Sequence, residues 1–178
     1  MPPGLRKVVL TAHVATSVGW LGAVGAYLAI DVTAVTSRDA ELVRAAYLAM
    51  NVIGLFVIVP LALTSVVIGV VNALGTPWGL LRHYWVLVKL LLTVGATIVL
   101  LLETQTISGL ADSAASGADP RGLPGTLAHS IGGLVVLLIA TVLSVFKPRG
   151  VTRYGWRKQQ QQRRAQGSPS AGDQPARA

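Results

Sequence analysis

Four long apolar intervals divide the chain, and most of its charged residues lie between or after them. The intervals cover about residues 8–30, 50–73, 83–103 and 126–146, and only the third holds a formal charge in its interior, at Lys89. A membrane-spanning helix needs about 20 predominantly apolar residues, because the hydrocarbon core is about 30 Å thick. The pattern therefore predicts an all-α protein, a transmembrane four-helix bundle with one span in each interval.

Local signals refine the ends of these helices. Thr36 and Asp39 have the spacing of a capping box, which predicts that the second helix begins well before its membrane portion. Pro60 lies inside the second span and is expected to kink it, because proline lacks a backbone donor. The stretch 104–125 is rich in Ser, Gly, Ala and Asp, which favours a mobile loop, and 159–178 is polar enough to favour disorder.

Composition excludes a soluble globular domain. Only 12% of residues are charged and 52% are hydrophobic, with a mean hydropathy of +0.61, whereas a typical soluble domain has about 25% charged residues. Cysteine is absent and only two methionines occur, which excludes thiolate metal sites and argues against a copper–thioether site. The sequence also lacks HExxH, GxSxG and a phosphate-binding glycine-rich loop, so enzyme activity is not expected.

The net charge of +8 is informative about the orientation of the chain in the membrane, because the basic residues are not spread evenly along it. Most of the excess lies in the last segment, and basic flanks favour the cytoplasmic side. We therefore expect a bacterial plasma-membrane protein with a cytoplasmic N-terminus (1–7), a membrane domain (8–148) and a basic, largely disordered cytoplasmic tail (149–178). Anionic lipid is the expected partner of that tail, rather than nucleic acid. The residues expected to contact the lipid surface are Lys147, Arg149, Arg153, Arg157 and Lys158.

Candidate chemistry lies on the first and third spans. His13 and Trp20 are seven residues apart and share one helix face, so His13 is a candidate metal or haem ligand, or a histidine that hydrogen-bonds to a neighbouring helix. Lys89 either extends its ammonium to the interface or binds an anionic group. His83 is a second candidate haem ligand, or an interfacial side chain. His129 enters the fourth span from the opposite side.

These residues carry a family resemblance. His13 with the segment 20–22, and Trp85 with Lys89, resemble motifs of copper-resistance-D-like membrane domains and of the small haem-binding protoporphyrinogen oxidases of bacteria. The resemblance implies a haem b or metal ligand at His13 and a substrate- or propionate-facing role for Lys89. Leu87 stands where the oxidases often have a histidine, which argues against oxidase activity. Segments 83–91 and 147–156 also resemble a group of predicted integral membrane proteins of unknown function from high-GC bacteria, over residues 5–158.

Three functions follow as alternatives. The first is a haem- or metal-binding membrane module, with His13, Trp20, Trp85 and Lys89 as ligand-binding residues and His13 and His83 as metal or haem ligands. The second is a non-catalytic interaction or assembly protein, as a homo-oligomer or with another membrane protein, because Ala15, Gly19 and Ala23 form a small-residue seam. The third is small-molecule transport.

Overall fold

The computed structural model describes residues 2–75, 80–116, 119, 123, 125–148 and 150–167. Six α-helices and one π-helical segment account for the regular structure of this part of the chain. Their bounds are α1 Pro3–Thr36, α2 Ala40–Ile53, the π-helical segment Gly54–Ile58, α3 Val59–Leu74, α4 Tyr84–Ala115, α5 Leu127–Phe146 and α6 Arg153–Gly167. The predicted all-α class is confirmed, and four helices are long and apolar enough to cross a membrane: Pro3–Thr36, Ala40–Leu74, Tyr84–Ala115 and Leu127–Phe146.

Three of the four spanning helices are longer than a bilayer requires. They have 34, 35 and 32 residues, or about 50 Å each at 1.5 Å per residue, against a hydrocarbon core of about 30 Å. The C-terminal ends of α1 and α4 and the N-terminal end of α2 pack on one another at one end of the bundle. Their buried core there consists of Ala34, Val43, Ala46, Tyr47, Met50, Ile107, Leu110 and Ala114.

This extension corrects the prediction of a loop from residue 104. Helix α4 continues to Ala115 because Ile107, Leu110 and Ala114 recur at helical spacing and are buried against α2. The intervening Ser108 donates a hydrogen bond to Asn51 Oδ1 at 3.1 Å, which links the two helices further. The segment was predicted as a loop because most of its residues are polar or small, and its apolar stripe has only a few positions.

The second spanning helix changes its winding just before Pro60. Helices α2 and α3 continue into one another through the π-helical segment, in which the Val59 amide bonds to the Gly54 carbonyl. A proline ring clashes with the carbonyl four residues earlier, and a wider turn is one way in which a helix accommodates it. Helix α2 begins before its membrane portion, as expected, but the predicted capping box is wrong. Thr36 is the last residue of α1, and the N-cap of α2 is Asp39, which accepts a hydrogen bond from the Glu41 amide.

The centre of the bundle holds a second apolar core. Trp20 and Val24 of α1 pack there with Ile58, Ala62 of α3 and Leu137 of α5. A Cβ atom at Gly19 would lie 3.5 Å from Leu61 Cδ2, so the small-residue seam of α1 lies close to α3. Large apolar side chains such as Phe56, Leu102 and Val145 point outward and are exposed, as expected of a surface that faces lipid rather than water.

The chain after α5 folds back onto the start of α4. His83 and Val151 form an isolated antiparallel bridge, and the Thr152 amide donates to the Arg82 carbonyl at 2.9 Å. Helix α6 then runs to Gly167, past residue 159, where the composition predicts disorder. Residues 168–178 lie outside the described part of the chain.

Candidate functional site

The first polar group inside the bundle surrounds His13, and we call it the His13 cluster: His13, Ser17, Ser65, Lys89 and Ser144. The His13 ring lies against α3, since a Cβ atom at Gly69 would be 2.9 Å from His13 Cε1. Ser17 and Ser65 share a hydrogen bond of 2.9 Å between their hydroxyls. His13 Nδ1 is buried and has no hydrogen-bond partner among the described residues.

Lys89 reaches across to the fourth spanning helix. Its Nζ donates a hydrogen bond to Ser144 Oγ at 2.6 Å, and the ammonium interacts electrostatically with His13. None of the described carboxylates forms an ion pair with it. The contact with Ser144 directs the side chain into the bundle instead of along its own helix towards the interface.

The remaining residues predicted to bind a ligand lie in different surroundings. Trp20 is almost fully buried in the central core. His83 is the N-cap residue of α4 and belongs to the bridge with Val151. Trp85 is the second residue of α4 and is partly buried.

The residues predicted to contact lipid lie at the end of α5 and on α6. Lys147 has a left-handed backbone, with φ 42°, and ends α5. Arg153, Arg157 and Lys158 are exposed on α6, and Lys158 Nζ lies 5.6 Å from the centre of the Tyr154 ring. Arg149 lies outside the described residues.

A second polar group, at the other end of the bundle, has no counterpart in the sequence predictions. We call it the Asp31 cluster: Asp31, Tyr27, Thr126, Ser130, Glu103 and His129. Asp31 is completely buried, and its Oδ2 accepts hydrogen bonds from Thr126 Oγ1 at 3.0 Å and Ser130 Oγ at 2.5 Å. The Tyr27 side chain hydrogen-bonds to Thr126, and the charges of Asp31 and Glu103 act on it electrostatically.

Two carboxylate oxygens of the Asp31 cluster are buried without a hydrogen-bond partner in the described part of the chain. They are Asp31 Oδ1 and Glu103 Oε2. The other oxygen of Glu103 lies 3.3 Å from His129 Nε2. Buried polar atoms are normally hydrogen-bonded, and an intramembrane carboxylate is more often functional than structural. The cluster therefore has unused capacity to accept hydrogen bonds from a bound group.

A cavity of about 460 Å³ lies beside the Asp31 cluster. Its volume falls within the range of ligand pockets, about 300–1,000 Å³. Apolar side chains and glycines of α1, α4, α5 and the π-helical segment form most of its wall, including Trp20, Ile58, Gly95, Val99, Gly133 and Leu137. Its polar wall consists of Tyr27, Glu103, Thr104, Thr126, His129 and Ser130. His13 and Lys89 do not line it.

The sequence contains part of the signal for this site. Asp31 directly follows the first apolar interval and Glu103 ends the third, so a four-span topology puts both carboxylates at one end of the bundle. They were not predicted as site residues, because a charged residue at the end of an apolar interval is typical of a loop. The hydroxyl donors of Asp31 are 95 and 99 residues away in the chain.

The positions of the potential metal-ligating side chains were also compared. Groups of three or more His, Cys, Asp or Glu side chains placed to hold a metal ion are absent from the described residues. The fold and its apolar surface define the class of a multi-pass helical membrane protein. Comparisons with protein-family models, curated proteins and solved structures found no match to the chain.

Proposed function

We propose that this membrane protein binds an amphipathic small molecule in the cavity beside the Asp31 cluster. The observation that carries the proposal is the division of the cavity wall into a long apolar part and a compact polar part. Ligand pockets typically combine an apolar lining with a few polar groups that orient the ligand. The apolar portion of the molecule lies against α4 and α5, and its polar head contacts the Asp31 cluster.

A cavity-filling variant tests this proposal. A Cβ atom at Gly95, which lines the cavity on α4, has no atom within 4 Å, so Gly95→Phe adds bulk without a backbone clash. Gly22→Phe is the matched control, because Gly22 is exposed on α1, has equally open space and does not line the cavity. Native mass spectrometry from a non-ionic detergent would measure binding of decanol and of co-purified lipids. We expect Gly95→Phe to lower occupancy at least fivefold and Gly22→Phe to leave it unchanged; equal occupancy in the two variants would contradict the proposal.

The proposed setting is the bacterial plasma membrane with both termini in the cytoplasm. Basic residues favour this orientation, because Arg6 and Lys7 lie in the first turns of α1, before its apolar stretch, Arg82 precedes α4, and Lys147 follows α5. The exposed basic residues of α6 would then face anionic lipid, with about 1 kcal/mol of attraction per residue held near the surface. Labelling of single cysteines at Ser116 and Ser168 with a membrane-impermeant maleimide in intact spheroplasts tests this, with Ser116 expected to react and Ser168 to be protected.

A second candidate function is haem b or metal binding at His13. The supporting observation is the buried Nδ1 atom without a partner, with the Lys89 ammonium nearby to attract an anionic group such as a propionate. The donor atom fits the group, but the ring packs against Gly69, so α1 and α3 would have to separate to admit a macrocycle. When bound, such a group would supply redox chemistry. The test is an absorption spectrum of the purified protein, with and without dithionite and after addition of haem: a Soret band lost in His13→Ala supports this candidate, and its absence overturns it.

A further inference from the structure

We infer that the ligand head bound at the Asp31 cluster is a hydrogen-bonding cation: an amphiphile with a protonated amine. This inference rests on the proposed function and names its ligand class. It follows from the hydrogen-bond acceptors on the cavity wall and from the charged residues around them.

The hydroxyls of the cavity wall present acceptors to a ligand. Thr126 and Ser130 both line the cavity, and both hydroxyls donate to Asp31 Oδ2. A hydroxyl has one proton and two lone pairs, so with its proton donated to Asp31 each can only accept from a ligand. Thr126 also hydrogen-bonds to Tyr27, which leaves Ser130 with the larger accepting capacity. The carboxylate thus orients its two neighbours as acceptors.

Glu103 adds a negative charge on the wall itself. Its Oε1 lies near His129, while its Oε2 is buried without a partner. An ionised carboxylate is an acceptor only, and donors that carry a positive charge form the strongest bonds to it. A cationic head beside Glu103 would supply the charge balance that the described residues do not give to Oε2.

Among the described residues, no basic side chain other than His129 forms an ion pair with these carboxylates. Lys89 donates to Ser144 in the His13 cluster and does not line the cavity, and Arg44 of α2 does not line it either. Asp31 has no ion pair among the described residues. His129 is the only ionisable base on the cavity wall formed by these residues, and its side chain is half exposed.

This arrangement selects against anionic heads. A phosphate, sulfate or carboxylate would meet Glu103 and the field of Asp31 as like charges, and like charges brought together in a low dielectric repel strongly. A neutral alcohol gains the apolar contacts but only one donor. The cation gains both the apolar contacts and the attraction of the two carboxylates.

Three probes with the same ten-carbon chain test the head group: decylammonium, which is protonated at neutral pH, decanol and decyl sulfate. Binding to the full-length protein is measured by native mass spectrometry from a non-ionic detergent at neutral pH. We expect decylammonium to bind at least tenfold more tightly than decanol, and decyl sulfate more weakly than either. Equal affinity for the ammonium and the alcohol, or preference for the sulfate, overturns the inference and leaves the proposed function standing. Failure of all three probes to bind overturns both.

Two charge-neutral variants locate the preference. Glu103→Gln and Asp31→Asn should each reduce the preference for ammonium over decanol at least fivefold while decanol binding is retained. Glu41→Gln is the matched control, because Glu41 is exposed in the first turn of α2 and does not line the cavity. If Asp31→Asn does not fold, Glu103→Gln decides alone, because its partly exposed side chain is easier to replace. An ammonium preference that survives Glu103→Gln would overturn the assignment.

Discussion

Thr126, the N-cap residue of α5, donates a hydrogen bond of 3.0 Å from Oγ1 to Oδ2 of Asp31, near the end of α1. An N-cap threonine usually bonds to the first amides of its own helix, but this side chain makes no such bond. The capping hydroxyl instead joins two helices that are distant in sequence. The start of α5 is therefore positioned by a buried carboxylate as well as by apolar packing.

Removal of the Asp31 carboxylate should destabilise the protein. Asp31→Ala removes the acceptor of the buried Thr126 hydroxyl, whereas the Ser130 hydroxyl keeps the Thr126 carbonyl as a second acceptor at 3.3 Å. A buried unsatisfied polar group costs about 1–3 kcal/mol. Asp31→Asn keeps one carbonyl oxygen as acceptor and should cost less. Thermal unfolding in detergent, followed by circular dichroism, measures both against Asp112→Asn, an exposed carboxylate of α4. An alanine variant as stable as the wild type would show that these hydrogen bonds do not hold α5 to α1.

The contact between His13 and Gly69 predicts a steric effect with a specific rescue. Gly69→Ala would place a Cβ atom 2.9 Å from His13 Cε1, and overpacking of this kind typically costs about 1–3 kcal/mol. His13→Ala in the same chain should remove the clash, so the two substitutions should be clearly non-additive in the free energy of unfolding. Gly25→Ala is the control, because no atom lies within 4 Å of its Cβ position. If the two substitutions changed the free energy of unfolding additively, the His13 ring would not contact Gly69.

Much of the fold follows from the sequence, because the energetic cost of a charge in hydrocarbon is local information. The four apolar intervals correspond to the four long helices. The capping box predicted at Thr36 does not form, because Thr36 still belongs to α1 and Asp39 is the N-cap of α2. The extension of α4 was not predicted, because its apolar stripe of Ile107, Leu110 and Ala114 is short. The stripe stabilises the helix only by packing against α2, which the sequence does not show. The Asp31 cluster was missed for a related reason: its partners lie on another helix, and their spacing along the chain carries no period.

Gly155 predicts how α6 is attached to the bundle. A Cβ atom there would lie 2.5 Å from the Arg82 carbonyl oxygen and 2.8 Å from Val151 Cγ1, so only glycine permits this approach. Gly155→Ala should detach the start of α6 and expose the Thr152 amide, which donates to the Arg82 carbonyl. Hydrogen exchange measured by mass spectrometry should show at least tenfold faster exchange in the peptide that contains Thr152. Gly150→Ala is the control, since its nearest contact, Tyr84 Cδ2 at 3.6 Å, is ordinary packing; equal exchange in both variants would contradict this attachment.

The hydrogen bond between Lys89 and Ser144 allows a test of whether Lys89 contributes to stability. Ser144→Ala removes the hydroxyl that accepts from Lys89 Nζ at 2.6 Å, and loss of a partner to a charged donor should cost about 1.5–3 kcal/mol.

Lys89→Met keeps the length of the stem and removes the charge, so it should be neutral or stabilising, as replacement of buried charges by apolar groups often is. In the Lys89→Met background, Ser144→Ala should then cost less than about 0.5 kcal/mol, because the hydroxyl has no ammonium to serve. Thr141→Ala is the control on the same helix, since its hydroxyl donates within α5, to the Leu137 carbonyl. The measurement is the free energy of unfolding of the four variants in one detergent. An undiminished effect of Ser144→Ala without the lysine would mean that the serine acts through the Ala140 carbonyl, to which it also donates, and that the Lys89 ammonium depends on a different partner.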